Sequence, residues 1–419
     1  MKRHNIDLMA PVGSYESLQA AIQAGANSVY FGIENLNMRS RSSNNFTFDD
    51  LKNIVTICKI SNVKTYLTVN TIIYDDEIEK MHKVIDSAAE NNVTAIIASD
   101  VSVMDYARKK DIEVHASTQL NISNIEAVKF FAQYCDVMVT ARELNLDQVK
   151  NITTLIKEKN ITGPSGELVK IEVFCHGALC MAISGKCYLS LHEYHSSANR
   201  GACFQTCRRA YIATDKETGA ELEIDNQYIM SPKDLSTISF IDKIIEAGVQ
   251  VLKIEGRARS AEYVKTVVEC YNDAINSYYD NTYSEEKIKT WTERLSTVFN
   301  RGFWNGYYLG QKLGEWADTY GSKATKTKVY LGKVLNYFSN IGVAELKLET
   351  AEELNINDEV IFLGPTTGVV QQYIKEIREN LKPVEKVSQG DLFSISTDTL
   401  VRRGDKLYKL INANELKKR

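Results

Sequence analysis

Over roughly its first 256 residues the chain alternates short apolar runs with longer stretches of helical periodicity, the pattern of successive βα units. Strand-like runs fall at 6–12, 28–33, 64–69, 94–99, 112–117, 136–141, 170–175 and 250–254. Eight such units predict a closed TIM-like (β/α)8 barrel rather than an open sheet. Gly25 and Gly248 stand where helical periodicity gives way to the next strand, the place for a helix C-cap.

In such a barrel the chemistry sits at the carboxyl ends of the strands. Asn70, Thr118, Arg142, His176 and Glu255 fall just past apolar runs and become candidate site residues. About 75 residues separate the seventh run from the eighth, far more than a connecting loop requires, so an insertion is expected at about 176–240. From about Lys326 the pattern changes to closely spaced β runs such as K-V-Y-L-G-K-V-L and D-E-V-I-F-L-G. A barrel domain over 1–325 and a small C-terminal β-barrel or sandwich over 326–419 are predicted.

Composition narrows the function classes. The net charge of −4 is not that of a dedicated nucleic-acid binder, although residues 323–419 hold about 16 Lys and Arg against about 13 Asp and Glu. No signal-peptide core and no apolar stretch of membrane-spanning length is visible, so a cytoplasmic protein is expected.

The insertion carries the most informative chemistry. Residues 172–190 read E-V-F-C-H-G-A-L-C-M-A-I-S-G-K-C-Y-L-S, and Cys180, Cys187, Cys203 and Cys207 are spaced C-x6-C-x15-C-x3-C. In a reducing compartment such clustered thiols point to metal ligation rather than disulfides. Four thiolates suit a structural zinc or an iron-sulfur cluster, and spacing leaves both open. Cys58, Cys135 and Cys270 lie in apolar patterns and are read as core residues. Cys175, beside His176, is ambiguous. The run R-G-A-C-F-Q-T-C-R-R-A-Y brings Arg200, Arg208 and Arg209 near any bound metal.

The run from Glu172 to Ser190, with the opening L-M-A-P-V-G-S-Y-E-S-L, the R-S-R-S-S-N-N-F segment and the later L-K-I-E-G-R-A-R-S-A-E-Y-V, resembles the collagenase-like peptidase family of unassigned catalytic type. That family includes oxygen-independent RNA and ubiquinone hydroxylation factors. The resemblance implies a [4Fe-4S] cluster on Cys180, Cys187, Cys203 and Cys207, and a tRNA-modifying hydroxylase forming 5-hydroxyuridine with prephenate as co-substrate. An electron donor is a further possible partner.

A dicarboxylate such as prephenate would be clamped by guanidinium groups. Arg257 and Arg259, with Glu255 and His176, form the candidate catalytic set. Arg39, Arg41 and Arg142 are further substrate-binding candidates, and Arg208 and Arg209, with Arg200 and the terminal Lys417, Lys418 and Arg419, offer tRNA an approach. The C-terminal segment also resembles the second-domain β-barrel of translation elongation factors. The aromatic run 303–308 either stacks on a base or packs the domain junction.

Two alternatives remain open on sequence alone. The family name argues for a peptidase, although the chain has neither H-E-x-x-H nor G-x-S-x-G and its six histidines are scattered. A noncatalytic RNA-binding protein with structural zinc is the other.

Overall fold

The computed structural model describes residues 6–40, 45–209, 211–219, 221–222, 230–318 and 321–416. Seven parallel strands follow in order: β1 (Asp7–Pro11), β2 (Ser28–Phe31), β3 (Lys64–Val69), β4 (Ala95–Ala98), β5 (Glu113–Ala116), β6 (Val137–Val139) and β7 (Lys170–Gly177). The eighth barrel strand, Val251–Ile254, pairs in parallel with both β1 and β7, through Asp7 with Val251 and Val251 with Glu172. The sheet therefore closes into a TIM-like barrel.

Helices α1 (Tyr15–Gln23), α2 (Phe48–Ile60), α3 (Ile78–Glu90), α4 (Val101–Lys109), α5 (Ile125–Phe131) and α6 (Leu146–Glu158) lie between successive strands. Their starts are fixed by side chains. Ser14, Thr47 and Asn145 each accept a hydrogen bond from a first-turn backbone N–H, and Ser17, Asp50 and Gln148 complete capping boxes. Gly25 and Gly248 take φ of 84° and 80°, the left-handed conformation expected just past a helix end. Apolar residues of the outward strand faces and the helices form one continuous core, while Met9, Tyr30, Tyr66, Ile97 and Val251 pack inside the barrel.

Beyond Cys175 the barrel becomes irregular. The register between β7 and the eighth strand shifts at Lys253, and β7 continues to Gly177, where the short strand Asp234–Ser236 pairs with it antiparallel. Strand Phe303–Trp304 then adds to Asp234–Ser236, so chain from well after the barrel returns to its carboxyl-end mouth.

The C-terminal segment forms an eight-stranded antiparallel sheet from Lys326–Phe338 to Lys406–Asn412, wrapped round a separate core that includes Leu346, Phe362, Ile377, Phe393 and Leu407. Gln372 bridges within this wrap, donating to the Ser396 carbonyl and accepting from Asp398 N–H. The domain leans on the outside of the barrel. Gln23 of α1 donates to the Thr367 carbonyl at 2.8 Å, and Lys265, on helix Ala261–Tyr279, donates to the Val369 carbonyl at 2.9 Å. Among the described residues no helix is long and apolar enough to cross a membrane.

Candidate active-site cavity

The carboxyl ends of the barrel strands open into a cavity of about 240 Å³, with Tyr30, Thr68, Ile97, Phe174 and Lys253 on its floor and the insertion over it. Between 178 and 209 the insertion has little regular structure beyond the short helix Leu189–Tyr194 and two 3-10 turns. Arginines tie it down instead. Arg200 stacks on Tyr74 at 3.8 Å and donates to the Ile72 carbonyl at 3.0 Å and to Glu77 at 2.7 Å. Arg208 donates to Ser231 Oγ and the Pro232 carbonyl, both at 2.9 Å, and to the Leu179 carbonyl. Gly201 lets the loop approach the segment that follows β2. Its φ is +80°, and a Cβ there would stand 2.4 Å from the Asn37 carbonyl oxygen.

These ties bring Cys180, Cys187, Cys203 and Cys207 to the lining of the same cavity. Burial pushes the Cys207 thiol up to about 11; Cys180, Cys203 and Cys187 add to the rise and Arg208 opposes it. Cys187 is likewise raised by burial, then by Cys180 and Cys203. A cationic group shared by the four thiols would remove the penalty on ionising Cys187 and Cys207. Among the described residues no three His, Cys, Asp or Glu stand close enough together to hold a metal ion as they are placed. By ligand type, four thiols at one cavity fit a zinc ion or an iron-sulfur cluster. Cys58, Cys135, Cys175 and Cys270 are buried elsewhere.

The rest of the lining is cationic. Arg39, Arg142, Arg208, Arg257, Arg259, Arg301 and Lys253 reach it, against one carboxylate, Glu255, among the described residues. Arg39 pairs with Glu255 at 2.7 Å. Burial works to raise the Glu255 carboxyl, but Arg39 and Arg142 outweigh it and the net shift is downward. Arg257 is only 4% exposed and donates to Thr68 Oγ1 at 3.0 Å, Asn37 Oδ1 at 2.9 Å and Asn45 Oδ1 at 3.1 Å. Burial first, then Arg39, lowers its guanidinium to about 10 against the opposing pull of Tyr30 and Glu255. Arg142 lies 3.9 Å over the Phe174 ring, and Arg259 lies 3.5 Å over Phe299.

Beneath the cavity a line of ionisable groups crosses the barrel. Lys253 Nζ meets Glu172 Oε1 at 2.8 Å, Glu172 Oε2 lies 4.0 Å from His115 Nδ1, and His115 Nε2 meets Glu113 at 3.1 Å. Lys253, Glu172 and His115 are nearly sealed from solvent, whereas Glu113, at the amino end of β5, is 37% exposed in its side chain.

The structure thus gathers the four cysteines with Glu255, Arg39, Arg142, Arg208, Arg257 and Arg259. Two expectations need correction. His176 does not reach the cavity: its ring is 1% exposed, 3.3 Å from the Tyr271 hydroxyl and packed by Tyr263 and Phe303. Burial, helped by Arg259, lowers it to about 3, so it is a neutral packing residue at neutral pH. Arg209 faces away, against the Tyr194 hydroxyl and Glu193. Arg257 lines the cavity, yet its guanidinium is occupied in holding the segment after β2. Arg41, Lys417, Lys418 and Arg419 lie outside the described residues.

Sequence reasoning missed Lys253, Glu172, His115 and Arg301. The first three are polar residues in the middle of apolar strand runs, V-L-K-I, I-E-V-F and E-V-H-A, on the inward phase of the strand. That interruption was the available signal.

Comparison with known proteins agrees with this architecture. Residues 13–318 match the model described as Peptidase family U32. The chain is 59% identical over 415 residues to a protein named "Collagenase" from Porphyromonas gingivalis, covering 99% of this chain and 100% of that one. It is 34% identical over 370 residues to "tRNA hydroxylation protein P1" of Bacillus subtilis, covering 86% of this chain and 83% of that protein. It is also 34% identical over 275 residues to "23S rRNA 5-hydroxycytidine C2501 synthase" of Escherichia coli, covering 65% of this chain and 40% of that enzyme. A barrel whose mouth holds four thiols and a cationic cavity, matched by the family model over residues 13–318, belongs to peptidase family U32.

Proposed function

We propose that this protein is an RNA-modifying hydroxylase that adds oxygen to carbon 5 of a tRNA uridine, with a [4Fe-4S] cluster on Cys180, Cys187, Cys203 and Cys207 and prephenate as co-substrate. The observation that carries the reading is the shared cavity, in which four thiols face seven cationic side chains and a single carboxylate already paired with Arg39. Such a lining attracts a small organic dianion and holds it beside the thiols. Relatives named for tRNA hydroxylation and for rRNA hydroxycytidine synthesis support the substrate class.

When bound, the cluster would supply electron transfer or Lewis acidity. The protein's own residues perform the remaining tasks. Arg142 and Arg259 both line the cavity and lie against aromatic rings, and they are the carboxylate clamps in this reading. Arg39 holds Glu255 ionised as a proton acceptor, and Lys253, set against Glu172, is a proton donor at the cavity floor.

A second reading, proteolysis, rests on the name of the 59%-identical relative. The cavity does not favour it. Among the described residues no histidine lines it, and the Ser117 hydroxyl is engaged by Gln119 rather than by a base.

The test is nucleoside mass spectrometry of tRNA from cells lacking the gene, complemented with wild type or Cys180→Ser. Loss of a hydroxylated uridine or its ether, restored only by wild type, is expected. An unchanged nucleoside profile, together with cleavage of gelatin by the purified protein, would overturn hydroxylation in favour of proteolysis.

A further inference from the structure

A second, smaller pocket of about 210 Å³ shares a wall with the cationic cavity. Arg142 and the stretch Leu179–Ala182, including Cys180, line both spaces. The far side is aromatic: Trp304, Tyr307 and Trp316, with Gly314 between the last two. These residues come from the chain that returns to the barrel mouth, fixed by the pairing of Trp304 with Leu235 and by a bridge between Pro232 and Trp316.

The aromatic group is not simply a packed junction. Trp304 is buried, and Tyr307 meets it edge-on at 5.3 Å, but Tyr307 and Trp316 are only half-buried, so ring surface remains open. Gly314 lies beside both rings, where a Cβ would meet the Trp316 ring at 3.5 Å and the Tyr307 hydroxyl at 3.6 Å in ordinary van der Waals contact. At the rim Met181 and Ile183 are 42% and 54% exposed, apolar side chains left in water beside a polar cavity. Two N–H groups of lining residues, Trp304 Nε1 and Arg142 Nε, are shut from solvent with no hydrogen-bond acceptor among the described residues.

We infer that this pocket is the seat of the RNA base: a single pyrimidine, turned out of its stack, whose ring lies against Tyr307 and Trp316 while its phosphates meet the cationic cavity. The inference rests on the RNA reading above and gives it a binding site. Every base offers a π-face for stacking, and a pocket of about 210 Å³ admits a single small ring. A proline-rich peptide would use the aromatic rings but has no anionic backbone for the neighbouring cations. Seated here, the base stands across one shared wall from the organic acid and beside Cys180.

The test uses the full-length protein purified without oxygen, with a uridine hexanucleotide and an abasic oligomer of equal length as probes. Binding is read by anisotropy and by quenching of tryptophan emission. Wild type is expected to prefer the uridine oligomer by about 10-fold, the scale of one stacked base. Trp316→Leu and Tyr307→Leu should erase that preference while retaining wild-type iron and sulfide, and Trp316→Phe should restore most of it.

A preference that survives both leucine variants overturns the inference. So does a wild-type protein that binds both oligomers alike, or one whose pocket fluorescence responds to a proline-rich peptide and not to RNA. Failure of the function reading shows separately, as an unaltered cellular tRNA profile.

Discussion

Every strand of the barrel is hydrogen-bonded on both sides, and its two faces are filled by apolar residues and a few buried charges. The insertion over its mouth has no such ladder between 178 and 209; among the described residues one backbone bond, from Ile72 N–H to the Asn199 carbonyl, joins it to the barrel, and side chains add Arg200 on Ile72 and Glu77 and Arg208 on Leu179, Ser231 and Pro232. The barrel is stabilised by many interchangeable contacts, so losing one lowers stability without changing shape. The insertion depends on a few ties and, in the proposed reading, on the cluster held by its four thiols. Substitutions in the two regions should therefore fail in different ways, one in global stability and the other in metal content and local order.

The largest expected effect is in the insertion. Serine at Cys180, Cys187, Cys203 or Cys207 should each remove most bound iron and acid-labile sulfide while leaving the far-ultraviolet circular dichroism of the barrel unchanged. Retention of full iron by any one variant removes that residue from the ligand set. In the barrel the largest effect should come from Lys253→Met, which leaves Glu172 at 0% exposure without its lysine partner. Breaking a buried pair in this way costs about 3–5 kcal/mol. Lys253→Met combined with Glu172→Gln should recover much of the loss in urea unfolding; if the double variant is as unstable as the single, the pair is not the cause.

How much of this was visible in the sequence also divides along the same line. The barrel was legible because short apolar runs alternate with stretches of helical periodicity: the runs at 64–69 and 250–254 reappear as Lys64–Val69 and Val251–Ile254. The four thiols were legible because cysteines are rare and their spacing is local. The inward charges were not, because Lys253, Glu172 and His115 come from three strands and meet only once the barrel closes. His176 misled for a related reason. It follows an apolar run as a catalytic residue would, but β7 continues to Gly177 and turns its ring into the packing of helix Ala261–Tyr279. The roles of Arg257 and Arg208 as ties were equally hidden, since a charge at a loop tells nothing of the carbonyls it will meet.

A moderate effect in the barrel should appear with acid. His176 is held neutral at about 3 against its ordinary 6.5, by burial and then by Arg259. The unfolded chain protonates it first as the pH falls below 6.5, so its contribution to stability is intact above that pH and is lost progressively on the way down towards 3. His176→Phe should flatten the dependence of unfolding free energy on pH across this window, and an unchanged slope would show that the ring is reached by water.

The smallest effects separate two neighbours on the insertion. Arg208 gives its guanidinium to Ser231, Pro232 and Leu179, so Arg208→Ala removes these local charge-assisted bonds and frees the loop that carries Cys207. Limited proteolysis of the protein should cut within 178–209 about 10-fold faster, with little change in the melting of the barrel, because the lost ties are local. Arg209 is half exposed and, among the described residues, pairs with Glu193 and donates to the Tyr194 hydroxyl of the same insertion. Arg209→Ala should therefore leave both cleavage rate and iron content at wild-type values. Equal protection in the two variants would mean that Arg208 does not set the shape of the insertion.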